Sequence, residues 1–215
     1  LSTGLGGLLP GGAVDGGFRG REAARNAAIG RLAAGSGLRS QEFSHLLIWE
    51  LPPLPLHGEE GVVALAVPAA ITKGTKARTT WVPTGALADM HAYIALERTA
   101  AVRGSGWSPR DGALDVVDPD SVGGRVNGRP VRWASLGPAE RRRLVAPSGG
   151  AAVLAVRADG GPLTDWEHTF AAASRRCRYV DPRFPAVTPH MLRHSFAVHT
   201  LRLLVRTHLA DPAKL

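Results

Sequence analysis

The segment TPHMLRHSFAVHTL, residues 188–201, concentrates ionisable side chains at the start of one predicted helix. His190 and Arg193 are three residues apart, so they lie on the same helical face. The first turn of a helix also presents unpaired backbone N–H groups, and its dipole favours an anion there. A guanidinium matches two phosphate oxygens, and an imidazole donates a hydrogen bond or carries a proton near neutral pH. The segment therefore predicts a phosphate grip, with a basic helix surface and a structural histidine as the alternative.

A metal site is the competing interpretation of the same helix. His194 follows His190 by four residues, which is the spacing of two zinc ligands on a helix. The glutamate of the H-E-x-x-H pattern is absent, and Arg193 stands between the two histidines, where its charge would repel a cation. We therefore predict neither a metal nor any other cofactor here.

Two further segments carry candidate phosphate ligands. Arg39 follows a Gly-rich break in GSGLRSQEFSHLL, at the start of a predicted helix, and Glu42 could either brace it or cap that helix. Lys73 precedes the turn of a predicted hairpin, ITKGTKARTTWVP, with Lys76 and Arg78 beyond the turn. A lysine on a hairpin tip can reach into a groove and supply a proton. An ordinary solvated turn is the alternative for this segment.

In this order and spacing, the three segments resemble the tyrosine recombinase (phage integrase) family of DNA strand-transfer enzymes. GLRSQEFSHL is similar to the family's first arginine box, KGTKAR to its lysine hairpin, and TPHMLRHSFAVHTL to its H-x-x-R box. The last string is the longest and most specific of the three. The resemblance spans about residues 22–204, with a long insertion at about 103–162 that the motifs do not cover.

The resemblance implies a role for each of these residues. Arg39 and Arg193 would clamp the scissile phosphate and stabilise its pentavalent transition state. Lys73 would protonate the 5′-oxygen leaving group. His190 would assist proton transfer with the nucleophile and hold the phosphate. The further candidates for DNA binding or for orienting the site are Lys76, Arg78 and His194.

The family's nucleophile is not found where the resemblance requires it. Tyrosine recombinases need a second His or Trp after the H-x-x-R box, and then the tyrosine that attacks phosphorus. Tyr93 and Tyr179 are the two tyrosines of this sequence, and both precede Arg193; the 22 residues after Arg193 contain neither Tyr nor Trp. We expect the chain as given to lack the nucleophile and to be inactive by itself. A non-catalytic DNA-binding protein derived from the same fold is the alternative function.

Composition agrees with an anionic partner. The 215 residues carry a net charge of +8, and residues 138–215 supply +6 of it, with 12 Lys and Arg against 6 Asp and Glu. We expect double-stranded DNA as the partner. The resemblance further implies self-association on DNA, with a tetrameric synapse in the full-length enzyme. The single cysteine excludes an internal disulfide framework. The sequence shows no membrane-spanning apolar run and no secretory pattern, so we expect a cytoplasmic protein. The carboxylates of DGALDVVDPD leave a metal-dependent nuclease as a further rival.

The predicted elements place these residues in an α+β fold that is mainly helical, with a small antiparallel β-sheet or hairpin. Residues 1–20 are Gly-rich and predict a linker or arm, and residues 21–215 predict the catalytic domain. Thr188-Pro189 predicts the start of the last helix, since Thr is a good N-cap and Pro suits the first helical position. Thr164 and Glu167 have the capping-box spacing of another helix. The predicted helices cover residues 21–34, 38–51, 86–101 and 164–180, the predicted strands 62–71, 79–83 and 151–156, and a predicted loop 103–131.

Overall fold

The computed structural model of the protein describes residues 2–9, 11–18, 22–55 and 60–209. Within these ranges the helices are α1 (Ser2–Gly6), α2 (Ala23–Ser36), α3 (Ser40–His45), α4 (Thr84–Tyr93), α5 (Thr99–Val102), α6 (Pro138–Arg141), α7 (Glu167–Val180) and α8 (Pro189–Leu209). The strands are β1 (Val62–Val67), β2 (Arg78–Pro83), β3 (Leu114–Val117), β4 (Gly123–Val126), β5 (Arg129–Arg132) and β6 (Leu144–Val145). The α+β fold class is confirmed. None of the helices described is long and apolar enough to cross a membrane.

The main core surrounds α2, whose alanine-rich sequence lets neighbouring elements approach closely. Ile29 and Leu32 of this helix are fully buried, with Phe43 of α3, Leu87 of α4 and Phe170 of α7 in the same cluster. The helix ends at Gly37, whose φ of 63° is the left-handed conformation that glycine adopts without strain. This sharp stop lets α3 begin three residues later, so Arg39 lies at a fixed corner between the two helices.

The predicted hairpin forms as β1 and β2, which pair antiparallel with Leu65 opposite Thr80. Leu65, Val67 and Val82 point into the main core, which fixes one face of the hairpin. The Thr80 hydroxyl donates to the carbonyl of Ser36 at 2.6 Å and thereby ties β2 to the end of α2. The hairpin base is consequently anchored beside the α2–α3 corner, while its connecting turn extends beyond it.

The insertion folds as a small sheet with its own core. The strand order is β5-β4-β3-β6, antiparallel except that β3 and β6 are parallel. Trp133 is buried at the centre of this second core and stacks on Trp49 with ring centroids 5.1 Å apart. Asn127 and Gly128 form the tight turn between β4 and β5, both with positive φ. Such a turn matches the twist of the strands that it connects.

A fully buried arginine joins the insertion to the main body. The guanidinium of Arg141 makes two contacts with Glu50, at 2.5 and 2.9 Å, and also donates to the carbonyls of Leu136, Trp133 and His45. All five of its N–H groups therefore have acceptors. Because a buried charge is tolerated only when it is paired and hydrogen-bonded, this site fixes how the insertion sits on α3.

Several predictions about the elements need correction. Residues 103–131 are not a loop but contain three strands. The predicted strand at 151–156 is a buried segment with isolated bridges to Leu47, Val145 and Pro162. The predicted helix at 38–51 stops at His45, because Leu47 pairs with Val153 in one of those bridges.

Some details of helix starts and cores also differ from the sequence-based expectation. The capping box of Thr164 and Glu167 is wrong, since the Asp165 carboxylate accepts the Glu167 N–H at 3.0 Å instead. Leu96 and Met191 are apolar positions of predicted helices, which favours the core, yet they are 72% and 40% exposed. Their helices turn other apolar residues inward. The N-terminal residues indicated a linker or arm; in the structure α1 packs on α2 and α7, with Leu5 fully buried in the main core.

Candidate phosphate-binding site

Arg39 stands at the N terminus of α3 and is braced by the Glu42 carboxylate. The backbone N–H of Arg39 donates to Glu42 Oε2 at 2.7 Å, and its Nη1 donates to Glu42 Oε1 at 3.2 Å. Glu42 therefore caps the helix and holds the arginine side chain, so the two alternatives posed by the sequence are both realised. The carboxylate is fully buried, whereas the Arg39 side chain is 41% exposed. The guanidinium consequently keeps donors that are open to solvent.

Arg78 reaches the same carboxylate from the first residue of β2. Its Nη2 donates to Glu42 Oε2 at 2.6 Å, and its side chain is 29% exposed. Two guanidiniums therefore compensate one buried negative charge, which leaves an excess of positive charge at the surface. Charge-assisted hydrogen bonds of this kind are about twice as strong as neutral ones, so they hold both side chains in place.

Arg193 joins this pair from the first turns of α8. Its Nη1 donates to the carbonyl of Gly37, two residues before Arg39. Leu192 is buried in the main core, and the ring of Phe196 lies against Gly37, where a Cβ atom would approach it to 2.3 Å. These contacts seat α8 on the α2–α3 corner. We call Arg39, Arg78 and Arg193 the arginine cluster.

The electrostatics of the arginine cluster favour an added anion. Burial lowers the pKa of Arg193, and the charges of Arg39 and Arg78 lower it further, while Glu42 acts in the opposite direction. Three cations from three separate elements thus repel one another around a single carboxylate. A phosphate with two negative oxygens near these groups would relieve that repulsion and accept their open donors.

His190 and His194 lie at the N-terminal end of α8, as the sequence predicts. The Nε2 atoms of His190 and His194 are 2.9 Å apart, so one imidazole donates to the other. Both side chains are exposed, and their rings are perpendicular with centroids 4.4 Å apart. The backbone N–H of Met191 donates to the hydroxyl of Thr188 at 3.3 Å, in agreement with the predicted N-cap. His190 is thus available at the helix start, one turn before Arg193.

Lys73 and Lys76 lie in the turn that connects the two hairpin strands. The Thr72 hydroxyl accepts the N–H of Lys76 at 3.0 Å and closes the turn, while Gly74 and Thr75 have positive φ. Both lysine side chains are exposed. In the part of the chain that the structure describes, neither ammonium has a hydrogen-bonding partner. The structure therefore brings Arg39, Arg78 and Arg193 together and leaves Lys73 on the adjoining hairpin tip.

Among the residues described, no hydrogen bond or ring contact joins either tyrosine to the arginine cluster. Tyr93 is 2% exposed, and its hydroxyl accepts the backbone N–H of Val156 at 3.1 Å. Burial raises the pKa of Tyr93 to about 12, which disfavours the phenolate that would attack phosphorus. Tyr179 is 91% exposed near the end of α7 and precedes the H-x-x-R box.

The acidic segment of the insertion is used for structure. One carboxylate oxygen of Asp120 accepts the N–H groups of Val122 and Gly123, both at 2.7 Å, and these bonds lower the pKa of Asp120. Over the described ranges there is no group of three or more His, Cys, Asp and Glu side chains able to hold a metal ion.

Sequence reasoning placed Arg78 among DNA-binding residues but did not foresee its bond to Glu42, or that Gly37 would receive both Arg193 and Phe196. The signal for the second point is present in GSGLR: a glycine directly after an alanine-rich helix predicts a left-handed stop and space for a close approach. No local pattern signals the bond between Arg78 and Glu42, because these residues are distant in sequence.

Comparison with known proteins finds no matching family model, no matching curated protein and no matching solved structure.

Proposed function

We propose that this chain binds the phosphodiester backbone of double-stranded DNA. We further propose that it forms part of the catalytic domain of a tyrosine-type site-specific recombinase. The observation that carries the proposal is the arginine cluster, in which Arg39 and Arg78 contact one buried carboxylate, keep part of their side chains exposed, and lie near enough to Arg193 for their charges to lower its pKa. The resemblance of the three sequence boxes supports the specific reaction.

The proposed reaction needs stabilisation of charge more than it needs a metal. A tyrosine oxygen attacks phosphorus, the bond to the 5′-oxygen breaks, and a 3′-phosphotyrosyl link forms. Arg39 and Arg193 neutralise the oxygens of the pentavalent transition state, and Lys73 gives its proton to the departing 5′-oxygen. His190 accepts the proton of the attacking hydroxyl. A 5′-hydroxyl of a second DNA strand then reverses these steps and releases the tyrosine.

The nucleophile is proposed to come from polypeptide outside these 215 residues. This assignment follows from the burial of Tyr93 and from the position of Tyr179 before the H-x-x-R box. In the complete enzyme we further propose that subunits associate on DNA as a tetrameric synapse, in the cytoplasm. A DNA-binding protein that keeps the arginine cluster and has no nucleophile is the second candidate, and the same two tyrosine observations favour it.

Binding to duplex DNA tests the shared part of both candidates. We expect the Kd of the chain to rise steeply with salt, because phosphate contacts release counterions. Arg39→Ala combined with Arg193→Ala should weaken binding by about tenfold or more, whereas Arg31→Ala should change it little. Arg31 is a suitable control because it is exposed on α2 and pairs with Asp89 at 2.6 Å. Affinity that does not depend on salt, or equal losses in all variants, would overturn the proposal.

Covalent trapping separates the enzyme from the binding protein. With a nicked suicide substrate, the 215-residue chain should form no SDS-resistant adduct, while the full-length protein should form one. Replacing the adduct-forming tyrosine with Phe should abolish the adduct and leave DNA binding intact. An adduct at Tyr179 of the short chain would refute the alignment of the boxes. A full-length protein that binds DNA without forming any adduct would establish the non-catalytic alternative.

A further inference from the structure

The insertion contains an arginine-lined cavity that the recombinase motifs do not include. Its volume is about 570 Å³, and it opens between the loop at residues 107–111, the end of α6 and the turn at residues 157–162. We call it the insertion cavity. Its charged lining consists of Arg110, Arg142, Arg143, Arg157, Asp111 and Asp159.

Three of these arginines are held in fixed directions by the fold. Arg143 Nε donates to the carbonyl of Gly112 at 2.9 Å, and Arg157 makes two contacts with Asp159 at 3.0 and 3.2 Å. Arg142 Nη1 lies 3.2 Å from His45 Nε2. Each guanidinium has five N–H donors, so every one of them retains donors for a ligand after these bonds are made.

The histidine that holds Arg142 is set to accept its hydrogen bond. His45 Nδ1 lies 2.8 Å from the carbonyl of Gln41, which can only accept, so Nδ1 carries the proton and Nε2 is the acceptor. Burial lowers the pKa of His45, and the charges of Arg142 and Arg141 lower it further, against the opposing bond to Gln41. The imidazole is therefore neutral near pH 7 and orients Arg142 without cancelling its charge.

The balance of charge in the insertion cavity selects an anion. Four guanidiniums face two carboxylates, and Asp159 is already paired with Arg157, whose hydrogen bond lowers the pKa of that carboxyl group. Arg110 is exposed and has no hydrogen-bonding partner among the residues described. The indole of Trp107 supplies one wall, packed so closely on Gly161 that a Cβ there would lie 2.8 Å from the ring. The cavity thus offers several oriented cations beside a rigid aromatic surface.

The helix α3 connects this cavity to the arginine cluster. Arg39 precedes α3 and His45 ends it, so the two positions are on the order of 9 Å apart at 1.5 Å per residue. One strand of B-DNA presents a phosphate about every 3.4 Å along the helix axis. Arg39 and the His45 that holds Arg142 are thus separated by a distance that phosphates within one turn of the same duplex also span.

We propose that the insertion cavity binds a second phosphate of the DNA backbone, near the one held by the arginine cluster. The inference rests on the proposed function. Its ligand chemistry is a phosphate group, and backbone DNA is favoured over a free phosphate compound because Arg110, Arg142 and Arg157 are all exposed at the mouth of the cavity. An extended polyanion reaches such groups without being enclosed. The insertion therefore extends the DNA-binding surface rather than only bracing the fold.

A matched pair of double variants tests this assignment by the salt dependence of duplex binding. Arg110→Ala with Arg143→Ala removes two charges from the cavity, and Arg129→Ala with Arg132→Ala removes two from exposed positions on β5 of the same insertion. Each lost phosphate contact reduces the slope of log Kd against log salt by about 0.9. We expect the cavity variant to lose about 0.9 of slope, the value for one phosphate contact, and about tenfold in affinity, with the β5 variant close to wild type. Equal slopes in the two double variants would overturn the inference.

A single variant and a measurement with inorganic phosphate separate failure of the cavity inference from failure of the proposed function. Arg110→Ala alone breaks no hydrogen bond of the fold, so a reduced slope in this variant supports the cavity even if the double variant folds poorly. If Arg39→Ala with Arg193→Ala weakens binding while the cavity variants do not, the cavity inference fails and the proposed function stands. If no arginine variant affects binding, both fail. Inorganic phosphate provides the last comparison. If it stabilises the wild type but not the cavity variant, while the salt dependence of DNA binding is the same in both, the cavity binds a free phosphate compound and the DNA assignment is refuted.

Discussion

Two arginine–glutamate arrangements lie on either side of α3. They differ in whether their arginines keep N–H donors that a ligand could use. At the insertion, Arg141 is fully buried, and all five of its N–H groups are used by Glu50 and three carbonyls. At the arginine cluster, Glu42 is the fully buried partner, while Arg39 and Arg78 remain 41% and 29% exposed. The first, which we call the closed arrangement, has no donor left for a ligand. The second, which we call the open arrangement, uses a buried carboxylate to hold cations at the surface.

The difference separates a structural arginine from a binding one without reference to any relative. A guanidinium whose donors are all satisfied inside the protein gains nothing from a ligand, and it stabilises the join between two units. A guanidinium fixed by one edge and open at the other is preorganised for an anion, since its side-chain entropy is already partly lost. The variants below are chosen to break one arrangement and leave the other intact.

Breaking the closed arrangement should have the largest effect on stability. Arg141→Ala leaves Glu50 buried without its partner and orphans three carbonyl groups, so we expect a loss of about 3–5 kcal/mol in the free energy of unfolding. Chemical denaturation measures this loss. Arg132→Ala, an exposed arginine of the same insertion, is the control and should change stability by about 0.5 kcal/mol or less. A loss no greater than the control's would mean that the buried ion pair does not join the insertion to α3.

Neutralising the carboxylate of the open arrangement should be the next most costly change. Glu42→Gln removes the negative charge and replaces one of the two carboxylate oxygens with an NH₂ group, so either Arg39 or Arg78 loses its side-chain acceptor. We expect a loss of about 2–4 kcal/mol in the free energy of unfolding, because the buried position cannot be hydrated instead. Thermal or denaturant unfolding measures it, with the exposed Glu167→Gln as control. Unchanged stability would show that the two arginines do not depend on Glu42 for their placement.

The open arrangement was more accessible to sequence reasoning than the closed one. Thr188-Pro189 predicted the start of α8, and the spacing of His190 and Arg193 predicted a shared face, because capping and helical period are local properties. Arg39 was predicted at a helix start for the same reason. The joining of these segments through Gly37 and Glu42 depends on contacts between residues far apart in sequence, which no periodicity encodes.

The sequence predicts neither the closed arrangement nor the strands beside it, since it favours a loop over residues 103–131. A local signal was available: Val126-Asn127-Gly128-Arg129 has the Asn-Gly pair that favours a two-residue hairpin turn, and these residues form that turn between β4 and β5. The strands are only four residues long and rich in Gly, Pro and Asp, so their composition hid them. Arg141 itself lies in ERRRL, where three adjacent arginines predict a solvated face; tertiary packing alone decides that one of them is buried.

The contact of Phe196 with Gly37 holds α8, and with it the open arrangement, on the main body. Disturbing this contact should have a smaller effect on stability. Gly37→Ala places a Cβ within 2.3 Å of the Phe196 ring and keeps a φ of 63°, which costs about 1 kcal/mol for a residue other than glycine. We expect a loss of about 1–3 kcal/mol in stability and weaker DNA binding, because α8 must shift and Arg193 shifts with it. Gly85→Ala, with open space around it, is the control. Full binding affinity in Gly37→Ala would separate the position of Arg193 from this contact.

The smallest predicted effect concerns His45, which contacts the insertion through Arg142 and Arg141. Burial and these two charges lower its pKa from 6.5, so the unfolded chain binds a proton more readily than the folded one. The contribution of His45 is therefore complete above about pH 6.5 and is lost as pH falls toward the lowered folded pKa, by at most about 1.4 kcal/mol per pH unit. Denaturation at pH 7.5 and 5.5 measures this slope, and His45→Gln should flatten it, while His91→Gln should not. A wild-type slope retained in His45→Gln would place the acid sensitivity elsewhere, and Arg142 would then be oriented by something other than a neutral imidazole.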